Sequence, residues 1–182
     1  MHILIVTAHP SSMGFTHKLA ETYRKGAEKK GHTVEVLDLY HTDLKQDYLN
    51  FEHPKMWPDD PARIPLQTKL KGADEWIFIF PIWWGSMPSI LKNFLDMNLT
   101  SGFAYKKVNN KVEKYMKGKT ARVFATCDAA KWMYYVSGIP RLIWRKAVLG
   151  FCGVRLKSFD MYSLKNRLNP KTLERVERIA GR

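Results

Sequence analysis

The 182-residue chain is predicted to be an α/β protein, a three-layer sandwich around a five-stranded parallel sheet in the order 2-1-3-4-5. Three observations predict it. Five short apolar runs alternate with segments of helical periodicity. The runs are apolar on both faces, as strands covered by helices on each side must be. Each strand–helix–strand step calls for a right-handed crossover, which returns the next strand parallel to the last. With 45% hydrophobic and 13% aromatic residues the chain can fill a core, and no linker or internal repeat divides it, so one domain is expected over residues 1–182.

Ile3 to Thr7 is β-branched and apolar and reads as the first strand. After the His9–Gly14 loop, Thr16 to Lys30 carries Leu19, Tyr23 and Ala27 at intervals of four, with Gly31 as the stop. Thr33 to Leu39 returns to strand pattern. From His41 to Pro65 the chain is polar and broken by Pro54, Pro58, Pro61 and Pro65, which suits an excursion over the surface into a short helix near Ile64 to Lys71. Glu75 to Phe80 is the clearest central strand, and Pro88 opens a helix over Ser89 to Asn98, where a missing amide is tolerated. Lys119 to Thr126 is the fourth strand, Gly138 to Leu149 a helix and Val154 to Tyr162 the last strand. Pro170 to Ala180 closes the chain as a helix, with Asn169 as its cap and Leu173, Val176 and Ile179 on its apolar side.

The composition excludes several function classes. Two unclustered cysteines, Cys127 and Cys152, give neither a disulfide framework nor a metal-ligand spacing, and they suit reduced thiols of a cytoplasmic protein. The start, MHILIVTAHP, has no basic segment or small-residue cleavage site, and no apolar stretch approaches the roughly 20 residues that span a bilayer, so no membrane insertion is expected. A net charge of +13 raises the question of nucleic acid. The Lys and Arg residues are scattered, however, without an arginine-rich tract, zinc-knuckle spacing or RNA-binding aromatic signature, so a solvated basic surface is expected.

In the predicted sheet, ligands gather at the carboxyl ends of the strands beside the switch point, which singles out three loops. The first, His9-Pro10-Ser11-Ser12-Met13-Gly14-Phe15-Thr16, offers a phosphate free amides, a helix amino end and short hydroxyl donors; an ordinary capped helix is the alternative. It has neither the Walker glycine-lysine nor a G-x-G-x-x-G pattern. The second, Pro81-Ile82-Trp83-Trp84-Gly85-Ser86-Met87-Pro88, follows the buried strand. Two adjacent tryptophans cannot both enter one small core from a turn, so at least one is expected to wall a cavity for a flat aromatic ligand. The alternative is a tryptophan pair plugging the end of the sheet. In the third loop, Thr126-Cys127-Asp128 leads into Ala129-Ala130-Lys131-Trp132-Met133-Tyr134-Tyr135, where Asp128 accepts a bond from a ligand hydroxyl or caps a turn.

Taken together, these residues resemble the NAD(P)H:quinone oxidoreductases of DT-diaphorase type within the flavodoxin-like superfamily. The resemblance runs from Met1 to Tyr162 and is most specific at FPIWWGSMPSILKNFLD, residues 80–96, and GFAY, residues 102–105. It implies a flavodoxin-like fold with a flavin ring on Pro81, Ile82, Trp83, Trp84 and Gly85, and a phosphate tail at His9, Phe15 and Thr16, to which the reading of the first loop adds Ser11 and Gly14. Thr126, Cys127 and Asp128 complete the cofactor site, and Tyr134 falls where relatives have a tyrosine that bonds the flavin or quinone. The chain departs from the family pattern at Gly14 and Thr16, where serine and asparagine are usual, at Asp128-Ala129, where Gly-Gly is usual, and at Pro140, which replaces a histidine. Charge on the reduced ring then falls to backbone amides, Tyr134 and the basic surroundings. No metal is implied.

The resemblance implies hydride passing from NAD(P)H through FMN to a quinone-like acceptor by ping-pong kinetics. FMN is preferred over FAD because the chain is short and no segment is set aside for an adenine. A homodimer is implied as well, with Tyr48, Phe51, Trp57, Trp132 and the Phe103–Tyr105 loop as interface or substrate-channel candidates. A flavodoxin-type electron carrier and an ancillary regulatory subunit of a potassium efflux system are the alternatives. Carriers are usually acidic, which this chain is not.

Overall fold

The first apolar run folds as β1 (His2–Thr7), an interior strand of the sheet, in a computed structural model that describes residues 1–53, 60–128, 138–166 and 169–182. Its neighbours are β2 (Thr33–Asp38) and β3 (Glu75–Pro81), both parallel to it. Beyond the short strands β4 (Tyr105–Val108) and β5 (Lys111–Lys114), the chain returns as β6 (Thr120–Cys127), which pairs with β3, and β7 (Arg155–Ser163) takes the far edge. The sheet order β2-β1-β3-β6-β7 is the predicted 2-1-3-4-5 once the small hairpin is set aside. This is the flavodoxin-like fold. A register shift at Ala121/Arg122 marks a bulge between β6 and β7.

Strand alternation divides the core into two. Even-numbered β1 residues Leu4 and Val6 join Trp76, Phe78 and Phe80 of β3 beneath α2 (Arg63–Gly72) and α3 (Ser89–Asn98). Odd-numbered Ile3 and Ile5 join Ile77, Ile79 and Phe124 beneath α1 (Phe15–Glu28), which contributes Leu19, Tyr23 and Ala27. Helix α1 ends at Glu28, two residues short of the expected Lys30, and the turn that follows closes at Gly31 (φ 77°), with the His32 amide donating to the Ala27 carbonyl and the Gly31 amide to Glu28. The closing helix α5 (Pro170–Ile179) packs beside α1, and the Asn169 side chain accepts from the Lys171 amide, the expected cap.

Two elements differ from the sequence reading. The expected Gly138–Leu149 helix is instead α4, α-helical over Ile139–Leu142, π-helical over Ile143–Val148 and α-helical again over Leu149–Cys152. The π segment needs a glycine one wide turn on: a Cβ on Gly150 would lie 2.2 Å from the Arg145 carbonyl oxygen. That widened turn carries Trp144, whose indole stacks on Phe80 at 5.5 Å and 21° and meets Phe78 at 4.8 Å. The second difference is the β4–β5 hairpin, closed by Asn109 (φ 48°) and Asn110 (φ 60°) in a type I′ turn.

One charge is built into the sheet. Glu75 is fully buried, with Lys157 Nζ at 2.9 Å, Arg122 Nε at 3.3 Å and the Tyr23 hydroxyl donating from 3.3 Å. Burial first, then the Glu75 charge, pushes the Tyr23 hydroxyl far above its ordinary range. Arg122 and Lys157 both donate as well to the main-chain oxygen of Arg182, so this polar knot ties the chain end to the sheet.

Candidate functional site

The carboxyl ends of β1, β3 and β6 lie side by side, so the loops after β1 and β3 and the exposed Asp128 share one edge of the sheet. The Ala8 amide donates to the Ile79 carbonyl, and the Ile82 amide to Thr126 at 2.7 Å, so the three strand ends are fixed to one another.

At the end of β1, His9 organises the first loop. The Ser11 amide donates to His9 Nδ1 at 3.0 Å, and the Gly14 amide closes the turn onto the Ser11 carbonyl. Gly14 then stands at the N-cap of α1 in extended geometry, with no side chain capping the helix. A glycine cannot supply the oxygen that Ser, Asp or Asn would, so the first-turn amides have no intrahelical or side-chain acceptor. Ser11, Ser12 and Met13 are exposed beside this amino end, while Thr16 is buried and Phe15 packs against the core. Thr7 Oγ1, just below, is buried with no hydrogen-bond partner among the described residues.

Beyond β3 the chain makes a two-residue reversal. Trp83 and Ser86 exchange both backbone hydrogen bonds, at 3.0 and 2.9 Å, around Trp84 (φ 50°) and Gly85 (φ 75°). Positive φ at both central positions defines a type I′ turn, which Gly85 adopts freely and a bulky side chain resists. The reversal throws both indoles outward: Trp83 is 42% exposed and Trp84 fully so. The alternative of tryptophans plugging the sheet is thereby excluded. Trp83 lies 6.3 Å from the His9 ring, which brings the first and second loops together. Pro81 is buried as the last residue of β3, and Ile82, half-buried, shares a small apolar cleft with Met87, Pro140, Trp144 and Phe159 under the turn.

The third loop contributes differently from what the sequence suggested. Thr126 and Cys127 are 2% and 3% exposed because both still belong to β6, so their side chains face into the molecule. What they offer the edge is backbone. Asp128, the next residue, is exposed. Tyr134 and Trp132 lie outside the described residues, as does Trp57.

The interface candidates gather elsewhere. Phe103 and Tyr105 line a cavity of about 910 Å³ with Leu95, Leu99, Val148 and Phe151, and Tyr105 meets Phe151 edge-on at 4.7 Å. Along α4, Ile139, Leu142, Ile143 and Phe151 are exposed. Tyr48 is exposed and bonds the Ser89 hydroxyl, and Phe51 is exposed beyond it.

One group of side chains escaped the sequence reading. His17, in the first turn of α1, meets Asp38 at the end of β2, and His41 reaches the same carboxylate from the following turn. Burial opposes ionisation of Asp38, but hydrogen bonds from His17, His41 and the Tyr40 amide outweigh it and hold the carboxyl below its ordinary range. The only sequence signal is a D-x-x-H spacing, and His17 is far from it along the chain.

Comparison with known proteins agrees with this architecture. The family model for the flavodoxin-like fold matches residues 1–180. An uncharacterized NAD(P)H oxidoreductase of Haemophilus influenzae is 25% identical over 189 residues, covering 100% of this chain and 93% of that protein. The rat NAD(P)H dehydrogenase [quinone] 1 is 28% identical over 178 residues, covering 84% of this chain and 65% of the rat protein. Among solved structures, the NAD(P)H:quinone oxidoreductase from Methanothermobacter marburgensis superposes with a TM-score of 0.81 at 25% identity, covering 100% of this chain and 98% of that one.

Proposed function

The chain belongs to the family of the flavodoxin-like fold, and from that premise we propose that it is a flavin-dependent NAD(P)H oxidoreductase that reduces quinone-like acceptors. The observation that carries the reading is the Trp84–Gly85 turn. A tryptophan is held in the left-handed region with its indole wholly exposed, so no packing among the described residues repays a conformation that costs about 1–2 kcal/mol. Strain of that kind at a cleft edge suits a surface kept ready for a ligand. The Haemophilus, rat and Methanothermobacter relatives, named as NAD(P)H oxidoreductase, NAD(P)H dehydrogenase [quinone] and NAD(P)H:quinone oxidoreductase, support the same activity.

The residues present fit a phosphorylated flavin. The uncapped amino end of α1 supplies unsatisfied amides and the positive end of a helix dipole, and Ser11 and Ser12 stand exposed beside it. Trp83, Trp84 and the Gly85 backbone would supply the aromatic surface for the ring, with Trp83 6.3 Å from the His9 ring. Thr126, Cys127 and Asp128, at the end of β6, are the proposed contacts on the third side, with Asp128 exposed there. FMN is preferred because nothing among the described residues is set aside for an adenine. The chemistry FMN supplies when bound is hydride acceptance from NAD(P)H and hydride release to the acceptor. The protein's part is to hold the ring against the tryptophan wall and leave one face open for both substrates in turn, which gives ping-pong kinetics. Were FMN bound, the proposed role of Tyr134 would be to donate to the negative charge that reduction creates, together with backbone amides near the end of β6.

The reading extends to one cytoplasmic domain over residues 1–182, paired as a homodimer through the apolar face of α4 and the Phe103–Tyr105 loop. No helix among the described residues is long and apolar enough to cross a membrane. The test is direct: purify the protein, record its visible spectrum, identify released flavin by mass, and follow NADH and NADPH oxidation with benzoquinone. A yellow protein that turns over either nucleotide supports the proposal. A colourless protein that takes up neither FMN nor FAD overturns it, and a flavin-loaded protein that never oxidises NAD(P)H makes it an electron carrier.

A further inference from the structure

We propose that His17, Asp38 and His41 form a binding site for a divalent transition-metal cation of the zinc type. Two imidazole nitrogens and one carboxylate oxygen all lie within 4.8 Å of one another, and no other such group of three occurs among the described residues. The three ligands come from separate pieces of fixed backbone. Asp38 ends β2 opposite Thr7 of β1, so the ladder sets its Cα. Its second oxygen, Oδ1, accepts the Tyr40 amide at 3.1 Å, which turns Oδ2 towards the two rings. His41 sits on the turn that folds back over Asp38, with the His41 and Thr42 amides both donating to the Asp38 carbonyl. His17 is held by the first turn of α1.

At present Oδ2 is the shared partner of both rings, 2.6 Å from His17 Nε2 and 2.9 Å from His41 Nδ1. Bonds of about 2.0–2.1 Å around a tetrahedral zinc ion place neighbouring ligand atoms roughly 3.3 Å apart. Each nitrogen therefore has to move less than about 1 Å away from Oδ2, while the two imidazole nitrogens, within 4.8 Å of each other, settle at that same spacing. His41 can yield, because its side chain is 46% exposed, whereas His17 and Asp38 are 18% and 21% exposed and stay put. Two imidazoles with one carboxylate favour zinc and its transition-metal neighbours over magnesium or calcium, which take oxygen ligands. Three protein ligands on a partly exposed edge leave a fourth position to water. A bound ion would join the start of α1 to the end of β2.

The test uses the full-length, tag-free protein after treatment with a chelator, titrated calorimetrically with zinc chloride and followed by visible absorbance with cobalt chloride. The expected result is one equivalent per chain, a tetrahedral cobalt spectrum and a rise in unfolding temperature with added zinc. His41→Ala removes a ligand from an exposed turn and leaves the fold intact; it should weaken binding at least 100-fold, as should Asp38→Asn. Three results would overturn the proposal: no saturable binding, binding retained by both variants, or a cobalt spectrum with thiolate charge-transfer bands.

Discussion

Replacing Trp84 by glycine should make the protein more stable and a poorer flavin binder. Trp84 is the first central residue of a type I′ turn at φ 50°, and its side chain is fully exposed. Truncation therefore removes no buried area. It relieves a left-handed conformation that costs an L-residue about 1–2 kcal/mol, against roughly 0.5–1 kcal/mol for the extra freedom glycine gives the unfolded chain. The balance is a gain centred on about 0.75 kcal/mol, which for a chain of this size raises the unfolding temperature by roughly 1.5–3 °C. Loss of one aromatic face should weaken FMN by about 1 kcal/mol, roughly fivefold. Differential scanning fluorimetry of the apoprotein gives the first quantity and FMN fluorescence quenching the second. Trp84→Ala separates the two effects, since alanine keeps the strain and loses the ring. If the glycine variant melts lower than the parent, or binds FMN as tightly, then the turn is neither strained nor part of the site.

The other predictions concern the sheet, the thiols and the third loop. Glu75→Gln leaves Arg122 and Lys157 beside a neutral buried group, and although Arg182 retains both as partners, urea unfolding should show a loss of about 3 kcal/mol. A loss under about 1 kcal/mol would mean the knot is dispensable. Burial pushes the Cys152 thiol up to about 11, above its ordinary 9. The unfolded chain therefore releases this proton first, and the stability tied to it is complete below pH 9 and lost as pH rises towards 11. The cost by pH 11 is on the order of 2–3 kcal/mol, so Cys152→Ala should flatten the alkaline fall in unfolding temperature. Iodoacetamide should modify Cys152 in the native protein only slowly at pH 8. Tyr134→Phe should slow acceptor turnover by roughly 10²–10³-fold, the usual loss for one donor to a developing anion, with flavin still bound. Stopped-flow traces unchanged from the parent would remove Tyr134 from the mechanism.

What could be read from the sequence follows from how each element is stabilised. β1, β3 and β6 are buried on both faces, so their composition alone announces them, and their order follows from the handedness of the crossovers. The β4–β5 hairpin escaped because it is four residues a side, lysine-rich and mostly exposed; Asn109-Asn110 was its one legible mark, a dipeptide suited to positive φ. The π turn in α4 escaped because the sequence pattern of a helix does not distinguish a five-residue hydrogen-bond step from a four-residue one. The side chains of Thr126 and Cys127 were assigned to a loop that begins one residue later. The His17–Asp38–His41 group could not be read at all, since only the pairing of β1 with β2 brings α1 near the end of β2. Trp84 is the opposite case. Among the described residues the non-glycine positions at positive φ are Trp84, Asn109 and Asn110, and asparagine tolerates that region while tryptophan does not. A sequence that satisfied local preference would place asparagine before Gly85, as it does in the hairpin. Local preference does not account for an exposed tryptophan at this position, and a departure of that kind is expected where a residue serves a ligand, as the proposed flavin site has it.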